Sequence, residues 1–324
     1  MSRVAVTIPS VECGVTAKIN DMSWRVPALF NNDRAALRLT HLLRPHLGGR
    51  LFGSVYGAPA SAWSGGRPCI VKEEADEVWL RRYFEAYRAE GIRCSLTLTR
   101  MNVSKDALSD PYCNMLLDLI EEYDGEAIVF NDDLAEYIRQ THSGIPLVAS
   151  NIKPATDFLN AWAGCANESE YYRRLLESYD RIVIRSEAAL DGKIRKSLRD
   201  IADRCEIIVN PRCIPDCPHC LDHYKNIERK MEDKEHKAGC YYSDEDDPRI
   251  YSMSLREEQL RELAAEGFTQ FKIEGRNISP DLFTRYCMSF ILGKEKSEEI
   301  QSAMDNREIF ELLLLMTQKA AGTL

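Results

Sequence analysis

Short apolar runs alternate along the chain with longer stretches whose apolar residues recur every three to four positions. The runs at 4–8, 51–56, 93–99, 127–131, 147–150, 182–185, 207–210 and 271–274 are rich in β-branched residues and mostly continuous. Continuous runs of this length mark strands covered on both faces. Helical spacing appears between them at 33–43 (Ala36, Leu37, Leu39, Leu43), 75–89 (Val78, Leu80, Tyr83, Phe84) and 109–122 (Met115, Leu116, Leu119, Ile120). Further helices are predicted at 132–140, 168–178, 186–204, 256–266 and 280–292, the last opened by Ser279-Pro280, since proline suits a first helical turn.

Eight strands separated by helices imply a mainly parallel sheet, and eight such units predict a closed (β/α)8 TIM-like barrel rather than an open sheet. The expected organisation is one barrel over residues 1–290, with a cysteine-rich loop and charged insertion at 213–250. A C-terminal helical extension is expected at 291–324, with its helix over 295–318. The charge run at 228–247 reads as a solvated insertion rather than a boundary.

Charge narrows the function classes. With 42 Lys+Arg against 51 Asp+Glu the net charge is −9, which argues against a protein that coats nucleic acid non-specifically, though not against a local basic groove. No signal-peptide pattern opens the sequence, and the apolar cluster at 309–316 is too short to span a bilayer and contains Glu311. A cytoplasmic protein without membrane partners is expected. The 11 cysteines are then reduced thiols rather than a disulfide framework.

In a barrel, chemistry collects where strands give way to βα loops. The predicted strand ends are polar: Pro9-Ser10 with Glu12 and Cys13 beyond, Ser64-Gly65-Gly66-Arg67 after the second, Thr99-Arg100, Asn131-Asp132, Ser150-Asn151 with Lys153, Arg185-Ser186-Glu187, and Asn210-Pro211-Arg212-Cys213. Asn131, Ser150 and Ser186 read first as helix caps. Lys272, Glu274 and Arg276 alternate onto one strand face, a costly arrangement unless paired or facing a ligand. They are the candidate catalytic residues. Arg67 is a candidate anion clamp, because its planar fork matches carboxylate and phosphate, and Asn151 and Asn210 are candidate substrate-binding residues.

The segment Cys213-Ile214-Pro215-Asp216-Cys217-Pro218-His219-Cys220 places three thiols within eight residues, directly after a predicted strand. Ionised thiols so close repel one another, a metal relieves that repulsion, and soft thiolates select zinc or an iron–sulfur cluster. Cys240 is the candidate fourth ligand, with His219, His223 and His236 as alternatives. Zn2+ and a [4Fe–4S] cluster both remain open on this reading.

The C-x3-C-x2-C spacing resembles the cluster motif of radical S-adenosylmethionine enzymes. That motif usually follows the first barrel strand, whereas this one follows the seventh, and no Gly-Gly-Glu-like segment comes after it. The layout as a whole is more similar to the U32 peptidase-like family. The resemblance is carried by the Asn210-Pro211-Arg212-Cys213 start of the cysteine loop and by Lys272-Ile273-Glu274-Gly275-Arg276. It implies a barrel and, as in several relatives, a [4Fe–4S] cluster, here on Cys213, Cys217, Cys220 and Cys240. It also implies oxygen-independent hydroxylation of an RNA base or quinone precursor rather than peptide hydrolysis. No Gly-x-Ser-x-Gly elbow or His-Glu-x-x-His helix is present in the sequence. The expectation is an iron–sulfur enzyme acting on an anionic substrate, with an electron donor if the centre is redox-active. A zinc-stapled, non-enzymatic binding protein is the reading from another class.

Overall fold

The computed structural model describes residues 22–27, 29–30, 34–47, 51–67, 75–229, 232–233, 235–236, 248–275, 279–295, 297–298 and 302. Eight parallel strands pair in chain order: β1 Ser23–Pro27, β2 Ser54–Gly57, β3 Arg93–Leu98, β4 Glu126–Val129, β5 Leu147–Ala149, β6 Arg181–Val183, β7 Cys205–Ile208 and β8 Gln270–Lys272. β8 pairs with β1, with Arg25 opposite Lys272, and closes the barrel. The connections carry α1 Ala35–Leu47, α2 Glu77–Ala89, α3 Lys105–Leu108, α4 Pro111–Glu122, α5 Asp132–Thr141, α6 Ile152–Asp157, α7 Glu168–Ser178, α8 Ser186–Leu190, α9 Gly192–Ser197, α10 Cys220–Glu228 and α11 Glu257–Ala265, and α12 Pro280–Leu292 follows β8. The (β/α)8 architecture expected from the sequence is the one found.

The first barrel strand is Ser23–Pro27. The run at 4–8, expected in that place, lies outside the described residues, as does most of the expected helix at 295–318. The single helix expected over 186–204 is instead α8, α9 and a 3-10 turn, Arg199–Arg204. The break falls at Asp191, whose carboxylate accepts the N–H groups of Lys193 at 2.7 Å and Ile194 at 3.2 Å and so starts a new helix. The helix expected over 109–122 likewise begins at Pro111, where Asp110 caps by accepting the Cys113 N–H at 2.8 Å.

Alternation along the strands sorts two cores. Outward residues such as Trp24, Val55, Leu96, Ala127, Ile182, Ile207 and Phe271 pack beneath the helices, against Leu80 and Phe84 of α2 and Leu116 and Ile120 of α4 among others. Inside the barrel, Tyr56, Ile128, Val148, Val183 and Ile208 form a small apolar cluster. On the N-terminal side of that cluster the strands turn charged residues inward, where branched apolar side chains usually fill a barrel.

This ionic layer centres on two fully buried carboxylates. Glu126 lies 3.5 Å from Arg25 and 3.5 Å from Arg93, pairs with Arg181, and accepts the hydroxyls of Ser95 at 2.6 Å and Ser54 at 3.4 Å. Burial alone would raise its pKa, but Arg25 and Arg181 outweigh burial and hold the carboxyl far below the ordinary range. Glu206 sits 2.7 Å from Arg25 and 3.2 Å from Lys272. No helix among the described residues is long and apolar enough to cross a membrane.

Candidate functional site

The cysteine loop leaves β7 and ends in α10, at the C-terminal face of the barrel where the βα loops gather. Cys217 is buried with Ile214 and Ile250, and Cys213 and Cys220 pack against the same cluster. The three cysteines thus all touch the Ile214–Ile250 cluster. The Cys220 thiol is pushed up to about 12, first by burial and then by neighbouring Cys217.

α10 presents Cys220, His223, Tyr224 and Ile227 at i, i+3, i+4 and i+7, one face of a helix. Arg67 reaches this face from the loop after β2. One of its guanidinium nitrogens lies 3.3 Å from His223 Nε2, and its carbon lies 5.7 Å from the centre of the Tyr224 ring. Burial, then the Arg67 charge, lowers the His223 pKa to about 4, which leaves the imidazole neutral near pH 7. The Tyr224 phenol is raised by burial, then by Cys220, with Glu274 and Cys213 adding to the shift. Tyr224 was not singled out in the sequence; its signal is the four-residue step from Cys220 on a helix.

Two glycines explain how Arg67 arrives there. A Cβ on Gly66, whose φ is +76°, would stand 2.1 Å from the Ile227 carbonyl oxygen. A Cβ on Gly65 would stand 2.4 Å from the Thr99 hydroxyl oxygen. The Ser64-Gly65-Gly66-Arg67 loop is thus wedged between the end of β3 and the last turn of α10. Glycine serves here for close backbone approach, and the Arg67 side chain that follows is exposed. Glu228 completes the dock: its carboxylate accepts the Met101 N–H at 3.1 Å and lies 3.3 Å from Arg100.

The remaining predicted site residues divide. Glu274 is half-buried, and its backbone is held by Asn210, whose amide accepts the Glu274 N–H at 2.7 Å and donates to the Glu274 carbonyl at 3.0 Å. Lys272 points into the barrel, against Glu206 and 4.1 Å from the centre of the Tyr56 ring. Tyr56 in turn donates to the Ile273 carbonyl at 2.8 Å. Lys272 and Glu274 therefore do different things: one neutralises the interior and the other stands at the mouth. Asn151 is half-buried at the start of α6, with no side-chain capping bond. Asn131 caps α5 by accepting the Leu134 N–H at 2.9 Å, as its place in the sequence suggested.

Cys240 and Arg276 lie outside the described residues. Thiolates are soft donors by chemistry, and these three cysteines border one small apolar cluster. Among the described residues no three His, Cys, Asp or Glu side chains are arranged so as to hold a metal ion. The alternative ligands have other partners: His223 faces Arg67, and His236 Nε2 lies 2.6 Å from the Asn226 side-chain oxygen.

No family model and no curated protein matches the chain. A solved structure of a U32 peptidase, Mk0906, is similar at 11% sequence identity and a TM-score of 0.50, over 80% of this chain and 95% of that one. At that identity the likeness is one of fold, and the fold is U32-like.

Proposed function

We propose that the chain is an iron–sulfur enzyme on a U32-like barrel, carrying out a redox modification of an anionic small molecule or a nucleic-acid base. Oxygen-independent hydroxylation is the reaction type in view. The observation that carries this reading is the packing of Cys213, Cys217 and Cys220 into one cluster at the barrel mouth. Those three and Cys240 would hold a [4Fe–4S] cluster, which when bound supplies electron transfer or Lewis acidity.

The chain's own residues supply binding and orientation. Arg67, exposed beside the cysteine loop, takes an anionic group of the substrate. Glu274 is the candidate proton carrier at the mouth, and Asn210 fixes the backbone from which it projects. Arg276, two residues further on in the sequence, is the candidate to share the anion. Asn151 and Asn210, just beyond the ends of β5 and β7, remain candidate hydrogen-bonding partners. Lys272 balances Glu206 and supports Tyr56 beneath the mouth, a positioning role rather than a catalytic one. Electrons would come from a separate donor.

Anaerobic purification with iron, sulfide and zinc analysis tests the reading. The expected result is a brown protein with about four iron and four sulfide per chain, lost in Cys217→Ser. A colourless protein with stoichiometric zinc overturns it in favour of a zinc staple, in which the metal stabilises the loop alone. Reductive cleavage of S-adenosylmethionine by the cluster-loaded protein overturns it in favour of a radical enzyme.

A further inference from the structure

Asp216 lies between Cys213 and Cys217 and has a left-handed backbone, φ 47°. A non-glycine residue holds that conformation at some cost, least for Asn and Asp. Its two polar handles are both taken by the neighbouring strand end. Its carboxylate pairs with the Arg185 guanidinium, and its N–H donates to Glu187 Oε1 at 2.8 Å. The residue that bends the cysteine loop is thus held through side chain and backbone by the segment that follows β6.

Arg185 is itself immobilised. It is 8% exposed, lies 3.2 Å from Glu187 and 3.8 Å from Glu168, and its N–H donates to the Tyr172 hydroxyl at 3.0 Å. Its guanidinium stacks 4.2 Å from the Phe158 ring centre and 5.5 Å from that of Trp162. Trp162 belongs to a left-handed turn of Ala161, Trp162 and Ala163, with φ of 46°, 59° and 49°. Three consecutive non-glycine residues in that region are rare, and such strain persists only where surrounding contacts hold it. By contrast the Asp216 side chain is 69% exposed, so its pairing with Arg185 is not required to fill the core.

We infer that Arg185 and Glu187 are positioning residues for the cysteine loop, holding Asp216 in its left-handed conformation and so setting where the Cys213, Cys217 and Cys220 sulfurs stand before any metal arrives. This rests on the reading of that loop as the ligand segment of a thiolate-held centre. The loop backbone between Cys213 and Cys217 is thus fixed from the segment after β6, without a metal.

The test is the rate at which iodoacetamide alkylates Cys213, Cys217 and Cys220 in the full-length, metal-free protein, followed by peptide mass. Asp216→Ala, Asp216→Gly and Arg185→Ala are expected to raise the rates at Cys217 and Cys220 about tenfold by freeing the loop to open locally. Asp216→Asn keeps left-handed tolerance and an acceptor for Arg185, and is expected within about twofold of the parent. Glycine decides between tether and backbone, because it adopts the positive φ freely but has no side chain. Parent-like rates in Asp216→Gly, or Ala-like rates in Asp216→Asn, would overturn the tether. Should Arg185→Ala fail to fold, the Asp216 series answers alone. Metal analysis of the parent separates the two ideas: no bound metal with an intact tether sinks the proposed function only, and bound metal with rates unmoved in every variant sinks the tether only.

Discussion

The side-chain amide of Asn210 holds the backbone of Glu274 by two hydrogen bonds, of 2.7 and 3.0 Å. It continues the β7–β8 ladder past the point where both strands have ended, so Glu274 is presented at the mouth on a fixed stem. Asn210→Ala is expected to cost about 1–3 kcal/mol, since it strands a donor and an acceptor of a partly buried backbone. Urea denaturation measures that cost. Metal content should be unchanged while turnover falls, and Asn210→Asp, which keeps only the acceptor, should lie between.

Glu126 is the anion on which Arg25, Arg93 and Arg181 converge. Glu126→Gln leaves those cations without their shared counter-charge in the barrel interior. A destabilisation of about 3–5 kcal/mol is expected, the range for removing one partner of a buried pair. A loss below about 1 kcal/mol, seen in equilibrium unfolding, would show the layer to be hydrated and weakly coupled.

The same carboxyl gives the protein an acid limit. Its folded pKa lies far below the ordinary range, held there by Arg25 and Arg181 against burial. Its stabilisation is therefore complete above the unfolded value of about 4.3 and drains away as pH falls below it towards the folded value. Melting temperatures between pH 7 and pH 3 are expected to drop steeply at the acid end. The slope should be shallower in Glu126→Gln, which has no proton to gain there.

Gly66→Ala places a methyl group 2.1 Å from the Ile227 carbonyl oxygen on a backbone with φ +76°. Strain and overpacking together are expected to cost about 2–4 kcal/mol. If the loop instead yields by withdrawing from α10, the cost will be smaller and Arg67 will leave His223. A histidine ring resonance that shifts in the variant, followed by NMR, reports that outcome.

Seven of the eight strands were legible as apolar runs, because their outward faces lie under helices and much of their inward face is apolar as well. β1 was not. Trp24 and Val26 face outward, Arg25 faces inward to Glu206, and the segment ends in Pro27, so no continuous run forms. An ionic interior hides a strand from a search for apolar ones. The partner of Lys272 was hidden for the same reason: its place in a register of charges called for a counter-charge or a ligand, and Glu206 was concealed within the apolar-looking β7. The cysteine loop drew notice because three identical rare residues stand close in sequence, and all three touch the Ile214–Ile250 cluster. The Arg185–Asp216 contact joins positions 31 apart on different strand ends, and no spacing announces it.

The seam of the barrel lies between β1 and β8, where Arg25 donates to Gln270 at 2.6 Å across 245 positions of chain, and where Glu206 draws on a cation from each side. During synthesis β1 emerges early and waits for its last neighbour, with Arg25 lacking Gln270. Glu206, once made, lacks Lys272 until the ribosome has delivered β8. A chain halted just short of β8 is thus left with an unclosed cylinder and an unmatched internal charge, a form open to quality-control proteases. Release of a durable product is in this way tied to completion of the segment that also carries Glu274.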